Sequence, residues 1–304
     1  MPVFYSQQPV SFFSGVIFEA ACLPTPHAES LTIMMSNLTV SMVKESRTNE
    51  VWRGEYLRDL IIVLTEKEIK GRYKNSWLGY AWSVLNPLAF ATVYYLAFGV
   101  FMRVQITDYP LFLVAGLFPW QWVSHSMSAA PNIFIANATL LKKVRFARHV
   151  LVVSAVLSDG IHFLMSIPVI LLFLAIYHVA PTWFWLIGVP ILTGIQLIMV
   201  YGMSLFVASL NLFLRDLDRL TILFMAFLFF LTPIAYTSSM IPEKYQLYMY
   251  LNPFTPLILN WQQLFLTGTL SGGGLLTAAM MAALIAIIGY LTYSKLAPKF
   301  AEVI

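Results

Sequence analysis

Four ionisable side chains stand within five residues, between two apolar stretches of this sequence. The run NLFLRDLDRL contains all four of them: Arg215, Asp216, Asp218 and Arg219. Placing one such ion at the centre of a bilayer costs about 2.5–3.5 kcal/mol on insertion scales, so four together would cost on the order of 10 kcal/mol. The sequence therefore predicts a tight turn in water at which two apolar segments meet.

Asp159 and His162 form a second group with chemical potential, three residues apart inside a long apolar segment. Ionisable residues at membrane depth are functional candidates by default. A proton relay or a metal site would need a third partner, which the sequence does not show. We favour pairing of the two residues with each other or with a neighbouring helix. For His125, beside Trp120 and Trp122, we favour packing over catalysis.

The motifs that bind nucleotides or metals are absent from the sequence. There is no GxxxxGK[ST], and the glycines 272–274 lead into an apolar segment instead of joining a strand to a helix. No Cys or His cluster has metal-ligand spacing, and the single cysteine, Cys22, excludes an intrachain disulfide. We expect no cofactor and no metal bound by the chain, and no nucleotide hydrolysis by the chain alone.

The composition is that of an all-α integral membrane protein. Of the 304 residues, 59% are hydrophobic and 11% charged, against about 25% charged in soluble domains. The apolar runs are continuous, and a helical span needs about 20 such residues. We predict six transmembrane helices, at about 84–102, 110–131, 149–177, 183–213, 220–236 and 275–294.

The basic residues predict the orientation of these spans. If the N-terminus is cytoplasmic, sixteen of the eighteen Lys and Arg residues lie inside, and only Arg103 and Lys244 lie outside. Cytoplasmic loops carry such an excess of basic residues. Both termini are therefore predicted to be cytoplasmic, and the net charge of +4 is explained by this distribution without nucleic acid as a partner.

Residues 46–83 are predicted to approach the membrane from the cytoplasm. Apolar residues recur at helical spacing over 50–65, which predicts an amphipathic helix lying on the inner leaflet; the first helix of a small soluble cap is the alternative. Basic and then aromatic residues follow, as in a chain that passes the lipid headgroups. The candidate interfacial residues are Trp52, Tyr56, Arg72, Tyr73, Lys74, Trp77 and Trp82.

The other segments complete the predicted domain organisation. Residues 1–45 are an N-terminal extension, disordered or mis-assigned because Met34, Met35 and Met42 are alternative starts. Residues 84–296 form the six-span domain, and 297–304 form a cytoplasmic tail. Between spans five and six, 237–274 is too apolar for a solvated loop, so we predict short re-entrant helices over a loop lying on the surface.

Aromatic side chains make up 15% of the sequence and suggest a sliding surface. Lipid contact or core packing is the ordinary role of such residues, but flat rings with polar tips can also line a path for sugars. The candidate path residues are Phe90, Tyr94, Tyr95, Phe98, Phe224, Phe227, Phe230 and Tyr236.

Four stretches in order resemble one protein family over about residues 50–296. They are IKGRYKNSWLGYAWSVLNP, NATLLKKVRFARHVL, NLFLRDLDRL, and TPIAYTSSMIP followed by LNPFTPLI. The chain resembles the membrane subunits of type-2 ABC exporters, and among them the permeases for bacterial cell-surface polysaccharides such as O-antigen, capsule and teichoic acid. It departs from them in its N-terminal extension and in Trp261-Gln262-Gln263, where many relatives carry an arginine.

The resemblance implies a homodimer in the bacterial inner membrane that encloses a path for a lipid-linked polysaccharide. Two cytosolic ATPase subunits would bind the ATP and supply the energy, so the chain itself is not an enzyme. In the family, cytoplasmic loops 2–3 and 4–5 dock on the ATPase. The matching residues here are Lys142, Lys143, Arg145, Arg148, Arg215, Asp216, Asp218 and Arg219.

Three other functions stay open at this point. One is a type-2 permease for a small molecule or a lipo-oligosaccharide, which the dense aromatic residues disfavour. Another is an integral-membrane glycan-processing enzyme, although the predicted external loops hold few ionisable residues for acid–base catalysis: Arg103, Asp108, Glu243 and Lys244. The third is a membrane scaffold without transport activity.

Overall fold

The computed structural model describes residues 54–73, 81–144 and 146–300, and every regular element in these ranges is helical. Trp52, Lys74, Trp77, Arg145 and the extension 1–45 lie outside the described residues. The chain divides at residue 57 into two compact units, and the described part of the second is the subject below. Helix α1, which supplies the first residues of this unit, begins at Gly54, three residues before the division.

The helices follow one another with short connections. They are α1 Gly54–Tyr73, α2 Trp82–Tyr94 continued by a π-helical turn Tyr95–Phe101, α3 Tyr109–Ala129, α4 Ile133–Ala136, α5 Ala138–Lys143, α6 Val150–Ile176, α7 Trp185–Asn211, α8 Leu217–Leu231, α9 Glu243–Leu251, α10 Phe254–Thr267 and α11 Gly272–Leu296. Short 3₁₀ turns occupy Ala130–Asn132, Ser238–Met240 and Ala297–Lys299.

Three helices in the described part are long and apolar enough to cross a bilayer: Val150–Ile176, Trp185–Asn211 and Gly272–Lys299. They coincide with predicted spans three, four and six. The apolar stretch Leu88–Phe101 is shorter, and α3 carries several polar side chains in its second half. The all-helical class agrees with the prediction, while six spans remain a prediction.

Helix α8 is shorter than the predicted span 220–236. It begins at Leu217 and ends at Leu231, and Thr232 has extended backbone angles. The cause is Pro233, which lacks an N–H donor and disfavours helical angles in the residue before it. The apolar residues after Thr232 are nevertheless buried, with Ile234 fully so, which explains why hydrophobicity alone predicted a longer helix.

Helix α3 lies in the core and is joined by polar bonds to α6 and α7, and α7 is bonded in turn to α10. Trp122 Nε1 donates to the carbonyl of Val156 in α6 over 3.1 Å. Gln196 Nε2 of α7 donates to the Pro119 carbonyl over 2.8 Å, and its Oε1 accepts from Trp261 Nε1 of α10 over 2.7 Å. Because Gln196 is fully buried, satisfying both ends of its amide avoids the desolvation cost of an unpaired polar group.

Helices α7 and α11 approach each other through glycines. A Cβ atom added at Gly202 would meet the backbone at Ala286, and one added at Gly289 would meet the backbone of Gly202. Small residues allow such close contact between membrane helices, where van der Waals packing drives association. The long helices α7 and α11 are therefore tightly paired.

The segment between α8 and α11 contains two short helices, as predicted. Helix α9 is mostly exposed, whereas α10 buries Phe254, Trp261 and Leu264 completely. The buried residues of α10 explain the apolar character of this segment. Whether α9 and α10 enter the membrane as re-entrant helices remains a prediction.

Candidate functional site: a charged helix end and an aromatic cleft

The connections after α3 and after α7 meet at one end of the helices. Asn132 Nδ2 donates to Asp218 Oδ1 over 3.2 Å. The buried Asn211 donates through Nδ2 to the carbonyl of Pro131 over 2.8 Å. The 3₁₀ turn Ala130–Asn132 is thus bonded to both sides of the turn at 212–216. We call residues 130–149, 211–219 and 293–300 the charged end.

At the charged end, the predicted docking residues are either exposed or half-buried. Arg215, Asp216 and Arg219 are exposed, and so are Lys142 and Lys143 in the last turn of α5. The exposed side chains offer charges of both signs to a partner.

Asp218 differs from these five residues, since it is half-buried and bonded to Asn132. It also lies in the first turn of α8, where a carboxylate is stabilised by the positive end of the helix dipole. Asp218 and Arg219 are therefore helical, and the predicted tight turn is confined to 212–216.

Arg148 has an internal role that the sequence did not reveal. Its Nη1 donates to the carbonyl of Ala297 over 2.6 Å, and its guanidinium lies 5.7 Å from the ring centre of Phe300. The Phe300 ring is fully buried and lies 5.1 Å from that of Phe134. Arg148 thus holds the segment after α11 against the connection before α6, and the first residues of the predicted tail 297–304 are packed.

His149 precedes the apolar helix α6 and packs against the same segment. Its ring meets that of Tyr293 edge-on, with centroids 5.9 Å apart. Burial lowers the pKa of His149 below its ordinary value of 6.5, because desolvation disfavours the imidazolium. The side chain is therefore neutral at pH 7.

Helix α1 is bonded to the charged end through Lys67. Lys67 Nζ donates to Asn137 Oδ1 over 2.8 Å, and Asn137 Nδ2 donates to the Ile133 carbonyl over 2.9 Å. The apolar stripe of α1 packs on the hydrophobic core through Leu57, Leu60, Ile61 and Leu64. Among the predicted interfacial residues, Tyr56 and Trp82 are exposed, and Arg72 and Tyr73 end α1.

A cleft of about 370 Å³ lies between α2, α3 and α8. Its aromatic walls come from all three helices: Phe90 and Tyr94, Trp120, and Phe229 and Phe230. Four polar side chains of α3 also line the cleft, namely Gln121, Ser124, His125 and Ser128. These four residues have the spacing i, i+3, i+4 and i+7, which places them on one helix face. The cleft therefore combines flat apolar faces with uncharged or weakly basic hydrogen-bonding groups.

The structure divides the predicted path residues among different surroundings. Phe90, Tyr94 and Phe230 line the cleft. Phe224 and Phe227 line a separate apolar groove of about 630 Å³ between α7, α8 and α11.

Tyr95, Phe98 and Tyr236 line neither of these two cavities. The Tyr236 hydroxyl donates to the Phe230 carbonyl over 2.7 Å. The prediction that Tyr94 and Phe98 lie on one face with Phe90 assumed α-helical spacing. The π-helical turn Tyr95–Phe101 has more residues per turn, so it moves the residues after Tyr94 away from that face.

Asp159 is bonded to a neighbouring helix, as we favoured. The hydroxyl of Ser126 in α3 donates to Asp159 Oδ2 over 2.6 Å, and both residues are buried. Within the part of the chain that the structure describes, no group of three metal-ligating side chains occurs. His125, by contrast, lies on the cleft wall. The polar spacing on α3 was the sequence signal that could have identified it.

Known proteins resemble this chain over most of its length. Residues 59–266 match the family described as ABC-2 type transporter. The chain is 44% identical over 249 residues to an O-antigen export system permease protein RfbA of Klebsiella pneumoniae, covering 82% of this chain and 96% of that protein. The RfbA of Myxococcus xanthus is 35% identical over 68% of this chain and 80% of its own length.

The similarity extends to a more distant relative. The polysialic acid transport protein KpsM of Escherichia coli is 23% identical over 75% of this chain and 89% of its own length. The family match spans the three helices of the cleft and residues 130–149 and 211–219 of the charged end. The chain belongs to the ABC-2 type transporter family of membrane permeases.

Proposed function

We propose that this chain is the permease subunit of an ATP-driven exporter, which moves a lipid-linked cell-surface polysaccharide across the bacterial inner membrane. The observation that carries the proposal is that two of the three cleft helices, α3 and α8, have one end at the charged end. Helices α3 and α8 both line the cleft, and Asn132, just after α3, is bonded to Asp218 at the start of α8. Movement imposed at the charged end would therefore reach the cleft walls directly.

The cleft chemistry supports a glycan as substrate. Aromatic rings give a sugar chain flat apolar surfaces, while the polar stripe on α3 offers hydrogen bonds that exchange as the chain moves. The relatives named for O-antigen export support a surface polysaccharide. A long polymer needs such repeated, individually weak contacts, because tight binding at any one point would stop its movement.

The proposed assembly is a homodimer with two cytosolic ATPase subunits. The cleft is open on one side, where Phe90 is 48% and Phe230 64% exposed, and a second copy would close it. The exposed charges at 142–143 and 215–219 would face the ATPase. ATP would be bound by that partner, since this chain carries no nucleotide-binding motif.

The proposed topology has six spans formed by α2 with its π-helical turn, α3, α6, α7, α8 and α11. Helix α1 lies at the inner leaflet, α9 and α10 are re-entrant from outside, and both termini are cytoplasmic. The distribution of basic residues supports this orientation. The proposed domains are an extension 1–45, a membrane approach 46–83, a six-span domain 84–296 and a tail 297–304.

A deletion strain tests the proposal. Removing the gene should abolish the surface polysaccharide and leave lipid-linked glycan inside the cell, and the wild-type gene should restore export. A double variant, Arg215→Glu with Asp216→Lys, should reach the membrane but lose ATPase binding in a pull-down. Lys244→Glu, on the predicted outer side, is the matched charge control and should behave as wild type. Unchanged surface glycan in the deletion strain, or ATP hydrolysis by the purified permease alone, would contradict the proposal.

A further inference from the structure

A third cavity, of about 510 Å³, lies at the end of the helices opposite the charged end. Helix α8 starts beside Asp218, and the cavity is lined by Thr237, which follows the end of that helix. Similarly, Ser271 precedes α11 and lines the cavity, whereas Phe300 of the charged end follows α11. In the proposed topology this cavity opens on the outer side of the membrane.

Apolar and polar side chains both line this outer cavity, and none of the described residues that line it carries a carboxylate, ammonium or guanidinium group. Its polar side chains are hydroxyls and amides, and the rings of Phe112 and Tyr250 also contribute. Ligand cavities of about 300–1,000 Å³ with a few placed polar groups are the usual form of small-molecule sites. The lack of formal charge favours an uncharged ligand over a phosphate, a carboxylate or a cation.

Some of the polar groups are already engaged within the protein. Asn260 Nδ2 donates to the Pro256 carbonyl over 2.7 Å, and its Oδ1 accepts from the Ser271 backbone over 3.0 Å. The hydroxyl of Thr277 donates to the Gly273 carbonyl over 2.8 Å. These contacts fix the start of α11 against α10, so they build the wall and do not bind the ligand.

Other groups keep bonding capacity toward the cavity. The side-chain nitrogen of Gln263, Nε2, donates to Thr269 Oγ1 over 3.1 Å. The side-chain oxygen of Gln263 is then left as an acceptor. Tyr250 is 45% exposed and presents a hydroxyl that can donate and accept. Gln262 is 3% exposed, and its Oε1 has no hydrogen-bond partner among the described residues. A buried, unsatisfied amide oxygen beside a cavity indicates that a donor is missing.

The outer cavity is connected to the cleft through Gln262. Its Nε2 donates to the carbonyls of Pro233 and Ile234, over 3.2 and 3.3 Å. These two residues follow α8, whose Phe229 and Phe230 line the cleft. A chain that leaves the cleft past the end of α8 therefore passes close to the cavity.

We infer that the outer cavity binds an uncharged hexose residue of the exported polysaccharide as it leaves the cleft. This inference rests on the proposed function. Sugar hydroxyls both donate and accept hydrogen bonds, as the hydroxyl and amide lining requires, and the C–H faces of a pyranose ring suit the two aromatic rings. The site would bind the emerging polymer weakly and transiently while the next stretch enters the cleft, which opposes return of the polymer into the cleft without stopping its export.

Binding of defined oligosaccharides tests the inference. The full permease, with its ATPase partner in lipid nanodiscs, is titrated with neutral tetrasaccharides of glucose, mannose and galactose and with tetrasialic acid, by saturation-transfer NMR and calorimetry. At least one neutral probe should bind more tightly than tetrasialic acid. Gln263→Leu and Tyr250→Ala should each weaken that binding about five-fold, as expected for a lost hydrogen bond or ring contact of about 1 kcal/mol. Tyr250→Phe, which keeps the ring, should have a smaller effect.

Tyr248→Ala is the matched control, because Tyr248 lies on α9, is 67% exposed and does not line the cavity. It should bind like wild type. Binding that is absent for every neutral probe, strongest for tetrasialic acid, or unchanged in Gln263→Leu and Tyr250→Ala would overturn the inference. Unaltered melting temperature and ATPase assembly show that a variant has folded.

The two proposals fail separately. If no neutral probe binds but deletion of the gene abolishes the surface glycan, the outer site is wrong and the exporter function stands. If deletion leaves the surface glycan unchanged, the exporter function is wrong. The proposed hexose ligand of the cavity is then wrong as well, because it depends on that function.

Discussion

The amide of Asn132 and the carboxylate of Asp218 join the ends of two helices that are 86 residues apart in sequence. The pair lies where the proposed ATPase would press on the permease, and both helices line the cleft. A side chain that binds the ATPase should affect assembly. A side chain that joins two helices behind that surface should instead affect the transfer of movement.

We therefore predict that Asn132→Ala and Asp218→Ala uncouple transport from ATP hydrolysis. A hydrogen bond to a charged group contributes about 1.5–3 kcal/mol when buried, and the partial exposure of this pair reduces its contribution to about 1 kcal/mol. Export should fall several-fold while ATPase activity of the reconstituted complex remains. Asp216→Ala, which removes an exposed carboxylate of the proposed docking surface two residues away, should instead weaken ATPase binding. Equal losses of ATPase binding in all three variants would contradict a coupling role.

The second prediction concerns Arg148, which the sequence assigned to docking and which the structure bonds to Ala297. Arg148→Met should lower the melting temperature of the purified permease by several degrees, because it leaves the Ala297 carbonyl without this donor and removes the cation from the Phe300 ring. Arg148→Lys should restore part of the loss. Lys143→Met, an exposed change in α5, should leave the melting temperature within about one degree. A stable Arg148→Met protein that fails only to bind the ATPase would support docking instead.

The charged end illustrates what the sequence can and cannot predict. The cost of burying charge predicted that residues 215–219 lie at an aqueous helix end, and composition predicted the helical membrane class. The bond from Arg148 to Ala297 was not predictable, since it joins positions 149 residues apart and an arginine beside other basic residues suggests a docking surface equally well.

The cleft was predictable only in part. The types of its rings and the spacing of the polar residues on α3 are visible in the sequence. Which rings face one another depends on the π-helical turn at Tyr95–Phe101 and on the end of α8 at Leu231. Pro233 signals that helix end, but no comparable signal marks the π-helical turn. Phe224 and Phe227, which lie within α8, line another groove.

A third prediction follows from the lowered pKa of His149. Between the ordinary pKa of 6.5 and the lower value of the folded protein, the unfolded chain binds a proton that the folded chain does not. Stability should therefore fall as the pH drops below about 6.5. No contribution from this residue is expected above pH 7.5.

Melting temperatures of wild type and His149→Gln at pH 7.5 and 5.5 measure this effect. The loss on acidification should be smaller in the variant, because glutamine does not titrate. The difference between the two proteins removes the contributions of the other histidines, which are common to both. A larger loss in His149→Gln would mean that the folded state favours the protonated imidazole, opposite to the cause given above.

The last prediction compares two adjacent tyrosines at the end of α2. Tyr94 lines the cleft and packs on Phe229 with ring centres 4.9 Å apart, whereas Tyr95 does not line the cleft and lies 6.3 Å from Tyr109. If the cleft is the sugar path, Tyr94→Ala should reduce surface polysaccharide several-fold, and Tyr95→Ala should reduce it much less. Tyr94→Phe should keep most of the export, because the ring face and not the hydroxyl contacts the sliding chain. Equal export by the two alanine variants, at matched amounts in the membrane, would contradict a path along this wall.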